Sequence, residues 1–596
     1  MSAAPAPFRP WLGANAAGGG RTRFRLWAPS LAAVTLEVQG MAPLPMQPGP
    51  DGVFETEARC GPGARYRYRV APGLAVPDPA SRLQDGDVHD ASIVVDDAHP
   101  WRHPDWRGRP WHETVACEAH PGLLGGYSGI ERRLPQWARL GVTAVQLMPV
   151  ADFAGERNWG YDGVLPYAPE RRYGSPEALR RMIDTAHGLG MMVFLDVVYN
   201  HFGPEGNYLP RYAPEFFRSD RDTPWGAAID FRRPQVRRFF AENALYWLSA
   251  YRFDGLRLDA VHAISEPGWL PEMARFVRSA LEPGRHIHLM LENDDNDAAL
   301  LEQGFDAQWN DDGHHVLHHL LTGESQGYYA DYADRPAQRL ARCLAEGYAY
   351  QGEASASREG RRRGSPSAHL PPTAFMLFLQ NHDQVGNRAQ GERLVSLCGD
   401  GPALRAAVAL QLLAPQIPLL FMGEEWGARE PFLYFTGYRD ADLAAAVREG
   451  RRREFAAFAD YARPAQQAAI PDPNAPATWR RCLLPGAPPD ARARNWLAYY
   501  RGLLALRRRE IVPRLPGARA TGARAVGPAA ARACWRLGDG SRLSLHVNLG
   551  PQACPCDPLA VPDAEPLFET PSGAGRALAA GTLPAACLVA MLEDAT

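Results

Sequence analysis

Met192-Val193-Phe194-Leu195-Asp196-Val197-Val198-Tyr199-Asn200-His201 is a short apolar run that ends in an acid, an amide and an imidazole. Outward from it, runs of the same kind recur at Val115 to Glu118, Val142 to Met148, Gly255 to Leu258, His288 to Leu291, Phe305 to Trp309, Ala374 to Leu379 and Ile417 to Phe421. Helical stretches separate them. Ser175-Pro176-Glu177 supplies an N-cap, a proline for the first turn and an early acid. Val236, Phe240, Trp247, Leu248 and Tyr251 repeat at helical spacing, as on a face buried against strands. The segment Ala407 to Met422, interrupted by Gln411, Pro415, Gln416 and Pro418, reads as helix, turn and buried strand. Eight strands alternating with helices predict a parallel sheet closed into an α/β (β/α)8 TIM barrel.

The flanks have a different rhythm. Phe24 to Val95 holds short alternating runs such as Tyr66-Arg67-Tyr68-Arg69-Val70, which predict a small N-terminal β-sandwich over residues 1–99. The barrel with its insertions is expected over 100–520. A small β-domain over 521–596 follows from runs such as Arg542-Leu543-Ser544-Leu545-His546-Val547. Two or three domains also suit a 596-residue chain.

Composition excludes several function classes. The 46% hydrophobic and 22% charged fractions suit a folded globular protein rather than a disordered one. A net charge of -3 argues against nucleic-acid binding, and the Arg-rich text from Arg358 to Arg363 reads as a solvated loop. No lysine occurs anywhere, which removes P-loop and Schiff-base chemistry. No stretch reaches a membrane-spanning length, and the start lacks a signal-peptide pattern. With nine scattered cysteines, an odd number, the expected compartment is the cytoplasm.

Barrel enzymes carry their chemistry at the C-terminal ends of the strands. Four strand ends are acidic here: Asp196 after the third, Asp259 after the fourth, Glu292 after the fifth and Asp383 after the seventh. Any one of them alone reads as a helix cap or surface ion pair. Together, with Arg257, His201 and His382, they suit a reaction that develops positive charge at a carbon flanked by oxygens, such as glycosyl transfer. Arg257 shares a strand face with Asp259 by the two-residue period and is placed to keep that carboxylate ionised.

With Asp196-Val-Val-Tyr-Asn-His201, Gly255-Leu-Arg-Leu-Asp-Ala-Val-His262, Leu291-Glu-Asn-Asp294, Gln380-Asn-His-Asp-Gln384 and Trp159-Gly-Tyr-Asp162 in this order, the chain resembles the α-amylase family of glycoside hydrolases over nearly its whole length. The resemblance implies a retaining mechanism: Asp259 as nucleophile, Glu292 as acid/base with a pKa raised by burial and nearby carboxylates, and Asp383 holding substrate hydroxyls. It also implies that Tyr161 stacks on the sugar, that His201, His262 and His382 bind it, and that Asp196 supports Arg257. Asn200 is a calcium ligand in some relatives, but no convincing calcium site assembles, and no cofactor or metal is expected.

Within the family, Asp306 to Tyr332, Tyr348 to Gly364 and Gln380 to Leu394 resemble members that release trehalose from maltooligosyltrehalose. α-1,4-Glucan oligosaccharides are the expected partners. A glycogen branching enzyme is the enzymatic alternative, disfavoured by Asn381-His382-Asp383-Gln384 where a Ser-His-Asp-Glu version is usual. A glucan-binding relative that has lost its catalytic groups is the other. Trp225, in the insertion after strand three, is a candidate platform for the leaving trehalose or an anchor of that insertion. Gln384 and Arg388 are its candidate polar partners, with Glu424 a weaker one. His314/His318 and His315/His319 stand at zinc-compatible spacing but lack the intervening glutamate, so packing roles are expected. Leu291 and the first-strand text Val115 to Gly122 depart from the usual pattern.

Overall fold

The computed structural model describes residues 8–595 except 457–460, 462, 487–489 and 558–564. At its centre is a closed parallel barrel of eight strands: Ala116–Ala119, Ala144–Leu147, Met192–Val197, Gly255–Leu258, His288–Leu291, Ala307–Trp309, Phe375–Leu377 and Ile417–Phe421. The first strand pairs the second at Ala116↔Ala144 and closes on the eighth at Ala116↔Leu419. All eight expected strands are present. The second, sixth and seventh are shorter than the apolar text; just before the sixth, Asp306 donates its backbone N–H to the Leu289 carbonyl at 2.8 Å while its carboxylate accepts the Leu289 N–H at 2.8 Å.

Every residue of Met192–Val197 is buried, because barrel strands are covered on both faces. Met192, Phe194, Met290, Trp309, Met376 and Phe378 fill the interior, and helices cover the outside. The helix Pro176–Gly188 starts where Ser175 accepts the Ala178 N–H. The helix Pro234–Ala250 buries Val236, Phe240, Trp247 and Leu248 against the strands. The text from Ala407 onward forms the end of the helix Pro402–Leu413 and the eighth strand.

Two antiparallel sheets form the N-terminal sandwich, one centred on Arg21–Trp27 and Val53–Ala58, the other on Thr35–Val38 and Arg65–Ala71. In Arg65–Ala71, Tyr66, Tyr68 and Val70 are buried between more exposed neighbours, the two-residue period of a half-covered strand. The sandwich is pinned to the barrel loops where the Trp27 ring meets Phe216 edge-on at 5.1 Å. At the other end, Arg519–Gly527, Ala530–Arg536, Arg542–Asn548, Cys587–Glu593 and Phe568–Thr570 make a five-stranded antiparallel sheet. Among the described residues no helix is long and apolar enough to cross a membrane.

Candidate active site

The strand ends that carry the acids open into one cleft of about 450 Å³. Asp259, Glu292, Asp383, Tyr161, His201, His382 and Trp225 all line it. Beneath them Arg257 is fully buried, and its guanidinium lies 4.5 Å over the Trp309 ring. Its Nη1 donates to Asp196 Oδ2 at 2.8 Å and to Asp259 Oδ1 at 2.6 Å. Its Nη2 lies 3.1 Å from Glu292 Oε2. One rigid cation thus anchors three carboxylates from three adjacent strands.

The second Asp259 oxygen, Oδ2, accepts from Asn200 Nδ2 at 2.9 Å. Glu292 Oε2 accepts the Ala260 N–H at 2.6 Å. Ala260 has φ 40° and ψ 50°, a left-handed conformation that costs a non-glycine residue free energy and that turns this N–H toward the acid/base position.

The carboxylates are electrostatically unequal. Burial pushes Glu292 well above the ordinary carboxylate range, and Asp259, Asp383 and Asp311 push the same way against Arg257. Asp196 rises to about 7, chiefly through burial, with Arg257 opposing and Asp259 adding. Asp383 lies below the ordinary value: burial raises it, but His382, Arg257 and Asn387 together lower it further. The arrangement favours the protonated form of Glu292 and the anionic form of Asp383, the separation of roles that acid/base chemistry needs.

The Tyr161 hydroxyl donates to Asp196 Oδ2 at 2.7 Å, and its ring stacks on His382 at 5.0 Å. His201 is held by Asn200 and by the Tyr161 carbonyl, 3.0 Å from Nε2. Trp225 is 46% exposed and stacks on His201 at 5.3 Å, at the tip of the hairpin Phe217–Thr223/Gly226–Ile229. It is therefore a cleft wall as well as a packed ring.

Other sequence candidates stand outside the cleft lining. His262 accepts the Asp294 N–H at 3.3 Å. Gln384 donates to Asp311 Oδ1 at 3.0 Å. Arg388 forms a two-pronged pair with Glu324 at 2.7 and 2.8 Å. Glu424 is buried, accepting from Tyr500 at 3.0 Å and Gln380 at 3.2 Å. In the helix Asp311–Thr322, His314 is bonded to the Leu379 carbonyl and stacked on Phe378, while His318 pairs with Glu324. Arg358 and Arg363, read as a solvated loop, instead clamp Asp294, and Arg363 also reaches Asp312 at 2.7 Å. The acids it meets lie elsewhere in the chain, Asp294 after the fifth strand and Asp312 in the helix Asp311–Thr322.

Sequence reasoning passed over Glu118. It lies within the first strand, fully buried, with His382 on both of its carboxylate oxygens. The available signal was an acid inside the apolar text Val115-Ala116-Cys117-Glu118-Ala119. It also passed over the helix Ala441–Phe455, which brings Val447, Gly450, Arg451 and Glu454 to the cleft.

The α-amylase catalytic-domain family matches residues 83–225, and a domain of unknown function, DUF3459, matches residues 518–589. The chain is similar to a malto-oligosyltrehalose trehalohydrolase of Deinococcus radiodurans, at 41% identity over 83% of this chain and 82% of the relative. It is also similar to one of Arthrobacter ramosus, at 41% identity over 82% of this chain and 87% of the relative. A crystal structure of a putative alpha amylase from Salmonella typhimurium superposes with a TM-score of 0.91 at 42% identity, covering 98% of this chain and all of that one. A pullulanase from Paenibacillus barengoltzii, at 20% identity and TM-score 0.68, shares the fold over 98% of this chain and 95% of its own. With the carboxylate cleft and relatives matched over more than four-fifths of both chains, the chain belongs to the malto-oligosyltrehalose trehalohydrolases of the α-amylase family.

Proposed function

We propose that this chain hydrolyses the α-1,4-glucosidic bond next to the terminal trehalose of maltooligosyltrehalose, releasing trehalose and a maltooligosaccharide. Asp259 attacks the anomeric carbon as the C–O bond breaks, and Glu292 gives its proton to the departing trehalose oxygen. Glu292 then takes a proton from water, whose oxygen displaces Asp259 and retains the anomeric configuration. Asp383 accepts hydrogen bonds from the sugar hydroxyls, Tyr161 offers its ring face, and Trp225 in the cleft lining receives the leaving trehalose. Arg257 and Asp196 hold the nucleophile from below.

The observation that carries this reading is the guanidinium of Arg257 between Asp259 Oδ1 and Glu292 Oε2, which seats nucleophile and protonated acid around one reacting position. A cytoplasmic setting accords with nine cysteines that are all free thiols. Incubation with maltooligosyltrehalose and with plain maltooligosaccharide tests the proposal. Free trehalose from the first and slow hydrolysis of the second are expected. Longer branched glucans from the second would indicate a transferase, and no product from either would indicate a binding protein.

A further inference from the structure

The first barrel strand, Ala116–Ala119, carries one acid, Glu118. Glu118 is fully buried. Its Oε2 accepts the backbone N–H of His382 at 2.8 Å, and its Oε1 lies 2.6 Å from His382 Nδ1. A single side chain therefore fixes both the main chain and the ring of the residue before Asp383. The other ring nitrogen, Nε2, lies 3.4 Å from Asp383 Oδ2.

Carboxylates at both ring nitrogens accept and do not donate, so the ring satisfies them only when both nitrogens carry protons. The ring plane is held as firmly as its edge. Tyr161 stacks on it at 5.0 Å and Trp159 meets it edge-on at 5.7 Å. Such confinement of a cation is costly unless its counter-charges are fixed in place.

We propose that Glu118 is a positioning residue for the reaction: it fixes His382 as an imidazolium facing Asp383 and the bound sugar, and so keeps Asp383 an anionic acceptor of sugar hydroxyls. This role rests on the glycosidase reading above. Glu118 touches no reacting atom. It acts through His382.

The charges around the ring agree. Burial opposes protonation of His382, yet Asp383 and Glu118 together push it well above the ordinary histidine range. His120, beyond the end of the same first strand, is lowered to about 4 by burial and adds no cation. Asp196 on the third strand also senses the His382 charge. Tyr161, from the loop after the second strand, is pushed well up by burial and stays neutral. Arg257 is the further cation that lowers Asp383, and Arg451, which lines the same cleft, donates to the Gly386 carbonyl at 2.8 Å.

Glu118→Gln removes one of the two counter-charges and leaves burial unchanged, so the imidazolium survives only at lower pH. The sign follows directly: a function that needs protonated His382 is intact at low pH and lost as pH rises through its pKa. The expected result is an alkaline limb of kcat displaced downward by about one to three pH units, the range set by an adjacent counter-charge. Activity should recover toward wild type near pH 5.5, with KM changed less than kcat. A profile that superimposes on wild type, or a loss of equal size at every pH, overturns the proposal.

An independent measurement uses the wild-type protein with 15N-labelled histidine, the His382 signals being assigned from a His382→Gln variant. Both ring nitrogens should remain protonated well above the ordinary histidine pKa of about 6.5. Titration near the ordinary value of about 6.5 overturns the proposal even if Glu118→Gln does not fold. This measurement needs no substrate, so it separates failure of the Glu118 assignment from failure of the trehalose reading.

Discussion

On the cleft floor Arg257 touches Asp196, Asp259 and Glu292 at once, whereas on the rim Arg388 is gripped by Glu324 and brushed by Glu392. Both are arginines close to a motif acid in sequence. The floor arginine lies on a barrel strand, and its partners lie on the strands to either side and on its own, at positions fixed by the parallel register Asp196↔Arg257 and Leu258↔Leu291. The rim arginine meets a residue 64 positions away on a loop after the sixth strand, with no ladder to relate them. Strand geometry propagates a local motif into a site. Loop geometry depends on contacts between segments that carry no shared period.

The largest effect should come from breaking the floor. Asp259→Ala and Glu292→Gln are each expected to lower kcat by about 10³-fold or more, because each removes a group that acts on the bond itself. Thermal unfolding should show both variants folded. Wild-type-like turnover in either purified variant would overturn the assignment.

A smaller effect should mark the wall between floor and rim. Trp225 is the cleft-lining aromatic with the greatest exposure, but it also stacks on His201, so platform and packing roles both have a physical basis. Trp225→Ala is expected to reduce hydrolysis of capped chains by about 10- to 100-fold, equivalent to a few kcal/mol of lost stacking, and to affect uncapped chains less. Selectivity should collapse toward simple α-1,4 hydrolysis. Equal proportional losses on both substrates would make Trp225 structural.

The floor also makes a prediction about stability. A carboxyl whose folded pKa is raised favours the folded state below its ordinary value of about 3.9, and that contribution is lost as pH rises through the raised value. For Asp196 the window runs up to about 7. Relative to Asp196→Asn, wild-type stability measured by chemical denaturation should therefore decline as pH rises across this window. A difference that is flat with pH would show that Arg257 keeps Asp196 ionised throughout.

This contrast sets what the sequence discloses. All eight barrel strands are legible because strands buried on both faces need short apolar runs, and helical text separates them. The acids at those ends meet in one cleft because barrel closure brings strand ends together. Glu118 escaped notice because its partner His382 is 264 residues distant and the two meet only when the first strand closes near the seventh. Gln384 and Arg388 looked free to bind sugar because nothing in the text announces that Asp311 and Glu324 reach them. The Arg358 and Arg363 segment reads as solvated for the same reason: its acids lie far off in sequence, Asp294 on the loop after the fifth strand and Asp312 in the helix Asp311–Thr322.

The smallest expected effect concerns Arg388 itself and decides which side of the comparison it belongs to. Its Nη1 and Nη2 both point at Glu324, in a pair whose side chains retain 17% and 37% exposure. Glu324 in turn accepts from His318, so the pair ties the loop after the sixth strand to the helix Asp311–Thr322 and to the segment beyond Asp383. A partly exposed pair of this kind contributes at most about 1 kcal/mol, its bidentate geometry placing it toward the upper end. Arg388→Met, Glu324→Gln and the double variant form a cycle in which the stability losses should couple by roughly that amount. Activity on capped and uncapped chains should fall together and by less than about tenfold, as expected when a wall loosens without losing a direct contact. If Arg388 instead binds the leaving trehalose, Arg388→Met will depress hydrolysis of the capped chain alone. Glu324→Gln, which frees the guanidinium, will then leave that selectivity intact, and Arg388 will join Trp225 as a contact surface.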